Sequence, residues 1–425
     1  MNINNIARRL KEYFSTPNRQ LLLFGAVHLL ILLIWLNFSA FDIRIHPDVE
    51  LYHEYGDLMF KGNLPYRDFA VEYPPLALLI LLIPRLFSAT LTGYADAFAV
   101  LMLAFDLLGL YFASRLSRRL GLGHFATLAI YSFSFFILGD IAINRFDVVP
   151  AVLSLGAIYY FLEKKNKTAW FVLALGVLAK LYPAIIAPLF IIPYLRKKEF
   201  KPLVKNLVIF VATGLVVALP FFIASPEGFW NFITFHSGRG LQLESGYASL
   251  LMLGKMLGLT QAEIVLAYSS VDIWAPVADF LIAASTFITL GGIFACYVVY
   301  FRRTKKEQDN GLVLTCFSVG VLAVLLVTAK IFSTQFVIWL YPLIPFINGK
   351  IRHSAWIMFA LIGLLSQYIY PHNYGELMNF EQPAVIFLIL RNLLVLALGI
   401  AAIYFAGRSP ESKSKVKNRR RFITG

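Results

Sequence analysis

Asp48 and Glu50 stand two residues apart just after a long apolar block, in the stretch "HPDVELYHEYGDLMFKGNLPYRDFAVEYPP" over 46–75. Six of the chain's 24 acidic residues fall in that stretch: Asp48, Glu50, Glu54, Asp57, Asp68 and Glu72. A carboxylate within hydrogen-bond reach of a hydroxyl can take its proton and turn the oxygen into a nucleophile. The same two residues, following Pro47, also suit the first turn of a helix, where acids satisfy free N–H groups and favour the positive helix end. From the residues alone both readings stand.

Single cations inside apolar chain are the second signal. Lys180 interrupts "FVLALGVLAKLYPAIIAPLFII" and precedes Pro183, which ends a helix. A lysine there must snorkel to the headgroups, find a partner, or serve an anion. Lys330 in "VTAKIFSTQFVIWLYP" repeats the arrangement. Arg145 and Asp147 in "NRFD" can pair with each other or with a ligand. His236 and Arg239 lie in "FHSGRGLQLES", where Gly238 and Gly240 leave the backbone permissive. A guanidinium matches the geometry of a phosphate, so Arg239 suits a phosphorylated headgroup.

The elements that position these residues read as membrane helices. The 425 residues are 59% hydrophobic and only 15% charged, against roughly a quarter charged in soluble domains. Apolar blocks of about 15 to 25 residues match the roughly 30 Å of a hydrocarbon core. The first, Leu21 to Ala40, reads as a retained helix rather than a signal peptide. The net charge of +14 is no nucleic-acid footprint, because the cations come in short runs between apolar blocks. These are Arg8/Arg9/Lys11, Arg115/Arg118/Arg119, Lys164/Lys165/Lys167, Arg196/Lys197/Lys198/Lys201, Arg302/Arg303/Lys305/Lys306 and Lys350/Arg352. Such runs mark cytoplasmic loops. The tail "KSKVKNRRR" reads as a solvated strip beside anionic headgroups. Cys296 and Cys316 lack metal-ligand spacing and read as packing residues.

Anchoring each basic run inside gives about twelve crossings with both termini cytoplasmic. The expected spans are about 20–40, 95–114, 124–142, 148–162, 169–180, 181–195, 207–224, 276–301, 312–329, 336–347, 353–370 and 385–407. Residues 75–90 either span or lie in the interface. Leu51, Tyr55, Leu58 and Met59 are expected on one face of an interfacial helix. This path gathers the other polar clusters on the outer face, whereas a carrier is expected to place them near the midplane. That favours a site worked from outside.

The stretches "HPDVELYHEYGDLMFKGNLPYRDFAVEYPPL", "NRFDVVPAVL", "LAKLYPAIIAPL", "GRGLQLES" and "KIFSTQFVIWLYPLIPF" together resemble the GT-C superfamily of integral-membrane glycosyltransferases, and within it glycosyltransferase family 87, the bacterial alpha-1,2-mannosyltransferase-like enzymes. The resemblance implies an all-α polytopic bundle of roughly 10–13 transmembrane helices, with an extracytoplasmic first loop containing interfacial helices. Residues 1–407 would be the transferase domain and 408–425 a basic cytoplasmic tail. It also implies transfer of a sugar, mannose first, from a polyprenyl phosphate to a lipid or glycan hydroxyl, with inversion and with Asp48 as base. Glu50, Arg67, Glu72, Tyr73, Arg145, Asp147, Lys180, His236, Arg239, Lys330 and Gln335 would bind substrate, with Lys180, Arg239 and Lys330 on the leaving phosphate. Related enzymes carry Asp-x-Asp where this chain has Glu50, so no metal site is assigned to the pair. No cofactor is expected, with a divalent cation left open. A lipid-diphosphate polymerase or ligase and a sugar-lipid transporter are the competing readings.

Overall fold

The computed structural model describes residues 13–38, 46–267, 270–304 and 311–406. The N-terminal cations Arg8, Arg9 and Lys11, the pair Lys305/Lys306 and the basic tail lie outside these residues. Seven of the described helices are long and apolar enough to cross a membrane, and five shorter apolar elements accompany them. The chain is a multi-pass, overwhelmingly helical membrane protein. It folds as two compact units, one running to Ala184 and resuming over Val204–Ser237, the other taking Ile185–Leu203 and the chain from Gly238 onward.

In the first unit the chain runs through α1 (Pro17–Phe38), α2 (Pro47–Phe60), α3 (Pro75–Arg85) and α4 (Leu91–Leu120). It continues through α5 (His124–Leu138), α6 (Asp140–Ile143), α7 (Val148–Leu162) and α8 (Asn166–Ala179). Helix α4 has 30 residues, about 45 Å at 1.5 Å each, more than a membrane core needs. The Thr90 hydroxyl caps its start by accepting from Gly93 N–H, and Gly121 ends it in the left-handed region. Arg118 and Arg119 lie in its last turn. Gly109 lets α5 and α7 approach α4 closely, since a Cβ there would lie 2.1 Å from the Tyr131 hydroxyl.

A buried polar clamp crosses these helices. Asp106 of α4 meets His28 Nδ1 of α1, and His28 Nε2 lies 2.7 Å from the Ser132 hydroxyl of α5. His28 and Asp106 are fully buried. Ionisable groups at such depth persist only with partners, and here the partners tie three helices together.

The expected span 124–142 breaks instead at Gly139, whose φ of 50° with ψ of −128° is open to glycine. The short α6 and a turn over 144–147 follow before α7 begins. That turn carries Arg145 and Asp147. Helix α2 turns Val49, Tyr52, Tyr55 and Gly56, spaced three and four apart, into the protein. Of the expected face only Tyr55 is buried; Leu51, Leu58 and Met59 stay half-exposed. Helices α10 (Phe200–Ala224) and α11 (Pro226–Gly238) follow α9, which belongs to the second unit.

The second unit holds α9 (Ala187–Lys197), α12 (Gly246–Met256), α13 (Ala278–Arg303), α14 (Gly311–Thr328), α15 (Arg352–Gln367), α16 (Tyr374–Met378) and α17 (Gln382–Phe405). Helix α17 packs on α14, α15 and α12. The expected crossing at 336–347 is no α-helix. It forms tight 3-10 turns over Thr334–Trp339 and Ile344–Phe346. Pro342 and Pro345 remove the N–H groups a regular helix needs. Its residues Val337 to Phe346 are nonetheless buried, so protein rather than lipid shelters this irregular backbone. A small antiparallel sheet was also not expected. It orders β1 (Leu241–Gln242), β3 (Ser270–Trp274) and β2 (Glu263–Ala267), with Ile273 opposite both Leu241 and Ile264. Its runs of two to five residues fall inside what reads as an outer loop, too short to show against the apolar blocks.

Candidate active site

In the first unit, the first turn of α2 meets the 144–147 turn. His46 caps α2, Pro47 opens it and Asp48 follows as a first-turn acid. Asp48 is therefore in a helix start, as one of its two readings held, yet its carboxylate faces a cation. Arg145 Nη1 binds Asp48 Oδ2, while Arg145 Nη2 lies 2.9 Å from His46 Nε2. His46 Nδ1 lies 3.1 Å from the Asp48 N–H and 4.0 Å from Asp48 Oδ1. Burial, and secondarily the Arg145 charge, lower the His46 pKa to about 2, so its ring is neutral. The Asp48 side chain is 29% exposed. Among the described residues its Oδ1 receives no hydrogen bond.

Two residues on, Asp147 accepts from Lys180 Nζ at 2.7 Å, with the carboxylate almost fully buried. Arg145 thus pairs with Asp48 and Asp147 with Lys180, so Lys180 is neither a snorkelling lysine nor an unengaged cation. Lys180 ends α8 in an extended conformation, its N–H bonded to Gly176 O. Tyr52 adds a residue the sequence reading missed. Its hydroxyl pairs with Tyr73, and both phenols are pushed well above their ordinary range, first by burial and further by the charges of Asp147 and Glu72. Glu72, Tyr73 and Asp147 therefore lie near Tyr52, with Lys180 on Asp147.

The rest of the acidic stretch is accounted for at its surface. Asp57 binds Arg85 at 3.0 Å and Lys61 at 2.6 Å. Asp68 takes two bonds from Arg67 and one from Leu64 N–H, so Arg67 braces the loop. Glu50 and Glu54 are exposed.

In the second unit Arg239 and Lys330 come together. Lys330 Nζ donates to the Arg239 carbonyl at 2.6 Å, and Arg239 Nη2 donates to the Ser270 hydroxyl at 2.6 Å. Asp272 accepts from Gly240 N–H and from Ser270. Burial, then the Arg239 charge, lower the Lys330 pKa. Gln335 is half-buried in the 3-10 segment. The His236 side chain lies outside the described residues.

Behind these cations is a buried network that the sequence reading did not find. Arg391, fully buried in α17, donates to Glu244 Oε2 at 2.8 Å, to the Glu244 carbonyl at 2.7 Å and to Asn392 Oδ1 at 2.8 Å. Glu244 also accepts from the Thr334 hydroxyl. Gln242 N–H donates to the Lys330 carbonyl at 3.0 Å, and Gln242 Oε1 accepts from Phe332 N–H at 3.2 Å. The segments carrying Arg239 and Lys330 are thereby fastened to one helix. The rule that drew attention to Lys180 applies equally to Arg391 in "FLILRNLLVL".

Among the described residues no group of three or more His, Cys, Asp or Glu is arranged to hold a metal ion. Cys296 and Cys316 are buried and unbonded to each other.

The model of glycosyltransferase family 87 matches residues 71–329. The matched stretch contains Glu72, Tyr73, Arg145, Asp147, Lys180, His236 and Arg239, and leaves Asp48, Glu50, Arg67, Lys330 and Gln335 outside. No curated protein matches. Among solved structures the chain resembles ArnT from Cupriavidus metallidurans, crystallised in the apo state, at 13% identity and a TM-score of 0.46 over 90% of this chain and 77% of that one. With more than half of its length matched by the family model, this multi-pass membrane protein belongs to glycosyltransferase family 87.

Proposed function

We propose that the chain transfers a sugar, mannose first, from a polyprenyl phosphate to a lipid or glycan hydroxyl on the extracytoplasmic face, with inversion and with Asp48 as general base. The observation that carries this reading is the Asp48 carboxylate, whose Oδ2 meets Arg145 and whose Oδ1 receives no hydrogen bond among the described residues. The guanidinium of Arg145 stabilises the carboxylate through Oδ2, while Oδ1 is left to accept a proton. The acceptor hydroxyl donates its hydrogen to Oδ1, and its oxygen bonds the anomeric carbon. The bond from that carbon to the phosphate oxygen breaks, and its electron pair leaves with the lipid phosphate. The proton rests on Asp48 until solvent removes it.

A departing phosphate monoester gains negative charge, which preorganised cations stabilise. Arg239 and Lys330 are our candidates, because their mutual contact leaves two cations with Asp272 as a nearby counter-charge. Lys180 ranks behind them, since Asp147 already neutralises it. The phosphate donor brings its own leaving group, so no nucleotide or general acid is called for. We propose cytoplasmic termini, from the basic runs.

Membranes bearing each variant, given radiolabelled polyprenyl phosphate mannose, test the reading. Asp48→Asn keeps the shape and ranks with Asp as a helix-start residue, but cannot take a proton. Transfer should fall about 10²–10⁴-fold at unchanged protein level. Glu50→Gln, at an exposed site, should lose far less. Near-normal transfer by Asp48→Asn would remove Asp48 as the base.

A further inference from the structure

Arg239 is held differently from Lys180. Lys180 meets the Asp147 carboxylate directly. Between Arg239 and Asp272 stands a hydroxyl. Arg239 Nη2 donates to Ser270 Oγ at 2.6 Å, and Ser270 Oγ donates to Asp272 Oδ1 at 2.8 Å. A serine hydroxyl has one hydrogen and two lone pairs. Its hydrogen is committed to Asp272, so it meets Arg239 as an acceptor.

Asp272 is fixed from its other side. Its Oδ2 accepts from Gly240 N–H at 3.0 Å. A Cβ at position 240 would lie 2.9 Å from that oxygen, so glycine allows the carboxylate to come this close. Asp272 lies in β3 opposite Gln242 of β1 and is 4% exposed. The strand that follows Arg239 is thus paired with the strand that carries Ser270 and Asp272.

One atom of the guanidinium is left over. Arg239 Nε is buried and, among the described residues, has no hydrogen-bond acceptor. A buried donor left unmet is costly, and an orphan in a folded protein points to a missing acceptor. This orphan belongs to a charged group, and Lys330 Nζ is bonded to the carbonyl of the same residue. Two neighbouring cations favour an anionic acceptor, and a phosphate oxygen suits a guanidinium N–H.

We propose that Ser270 and Asp272 are positioning residues for Arg239: the carboxylate fixes the hydroxyl, the hydroxyl holds Nη2, and Nε is thereby presented to an oxygen of a phosphate group. This rests on the reading of Arg239 as a ligand of the lipid phosphate and deepens it. The interposed serine spares the guanidinium a direct carboxylate pair, so its charge stays available to the ligand.

Thermal unfolding of the full-length protein in detergent tests this, titrated with a polyprenyl phosphate, the matching uncharged polyprenol, or inorganic phosphate. A ligand of the folded state raises the unfolding temperature by mass action. The polyprenyl phosphate should raise it more than the polyprenol does. Its titration midpoint should rise about tenfold or more in Arg239→Gln, the scale of one charge-assisted bond. Ser270→Ala and Asp272→Asn should show most of that rise. In Asp272→Asn one amide oxygen replaces two acceptors, so Gly240 or Ser270 loses its bond. Ser270→Thr keeps the hydroxyl and should titrate like the unsubstituted protein. Ser270→Ala added to Arg239→Gln should cost nothing further, because the serine acts through the arginine. A merely structural serine would lower the unfolding temperature without moving the midpoint. Should Ser270→Ala not fold, Asp272→Asn carries the comparison.

An equal shift by inorganic phosphate would support the anion site and make free phosphate its source. An unmoved midpoint in Ser270→Ala, or additive losses in the double variant, would overturn the proposal and leave Arg239 on the phosphate. An unmoved midpoint in Arg239→Gln, or no preference for the phosphate over the polyprenol, would remove Arg239 and the proposal together. The titration involves neither sugar nor base, so failure of the mannose or Asp48 readings would not reach it.

Discussion

Arg145 is ion-paired to Asp48, and Asp147, its neighbour two residues away, is ion-paired to Lys180. The first pair is partly open at Asp48 and the second is closed at Asp147, whose side chain is 2% exposed. On the function proposed above, the chemistry falls to the open pair.

From this division the first prediction concerns Arg145. Arg145→Lys keeps the charge but has no fork with which to reach Asp48 and His46 together. We expect transfer to fall about 10²-fold, with protein accumulation near normal, as for a misplaced catalytic group. Membrane transfer assays beside immunoblots check it. A lysine variant with full activity would mean that the guanidinium has no catalytic consequence.

The second prediction concerns Lys180. Its removal leaves a buried carboxylate without its cation, which typically costs about 3–5 kcal/mol. Lys180→Gln should therefore unfold in detergent at clearly lower temperature, and Lys180→Gln with Asp147→Asn should recover most of that loss. Transfer by the double variant then tells whether Lys180 touches phosphate. Recovery of both stability and activity would leave it a purely structural partner. Recovery of stability alone would return it to the site.

How far the sequence foretold this arrangement depends on what holds each residue. The apolar blocks were legible because a hydrocarbon core demands length and composition from one continuous segment. Asp48, Arg145, Asp147, Lys180, Arg239 and Lys330 were legible because charge is costly beside such blocks. Their partners were not. His46 meets Arg145 across 99 positions and Glu244 meets Arg391 across 147, and no local periodicity encodes either pairing. Asp106 and His28 carried the same cost signal inside apolar helices, but each reads alone as an isolated oddity. The break at Gly139 and the 3-10 turns after Ser333 escaped because apolar composition looks the same in a helix and in sheltered irregular backbone.

Glu244 and Arg391 supply the third prediction. Both are buried, with Glu244 3% and Arg391 0% exposed. Arg391→Met leaves the Glu244 carboxylate unpaired and frees the segments that carry Arg239 and Lys330. Thermal unfolding should show a loss of about 3–5 kcal/mol, and Glu244→Gln added to Arg391→Met should restore part of it. If Arg391→Met unfolds like the unsubstituted protein, the network does not hold these segments.

The last prediction is a pH dependence of stability, and His46 sets its sign. In the unfolded chain a histidine gains its proton below about pH 6.5. In the folded protein burial and Arg145 lower that value to about 2. Between these two values the unfolded state binds a proton that the folded state refuses, so acid favours unfolding there. Stability from this residue is intact above about pH 6.5 and declines steadily as pH falls toward 2. Among the described residues, Asp48 and Arg145 are charged groups beside the ring, and Arg145 keeps its charge throughout. His46→Gln cannot titrate. Its unfolding temperature in detergent should drop less between pH 7.5 and pH 5 than that of the unsubstituted protein. Equal drops in the two proteins would mean that His46 is protonated in the folded state, and the neutral ring would have to be abandoned.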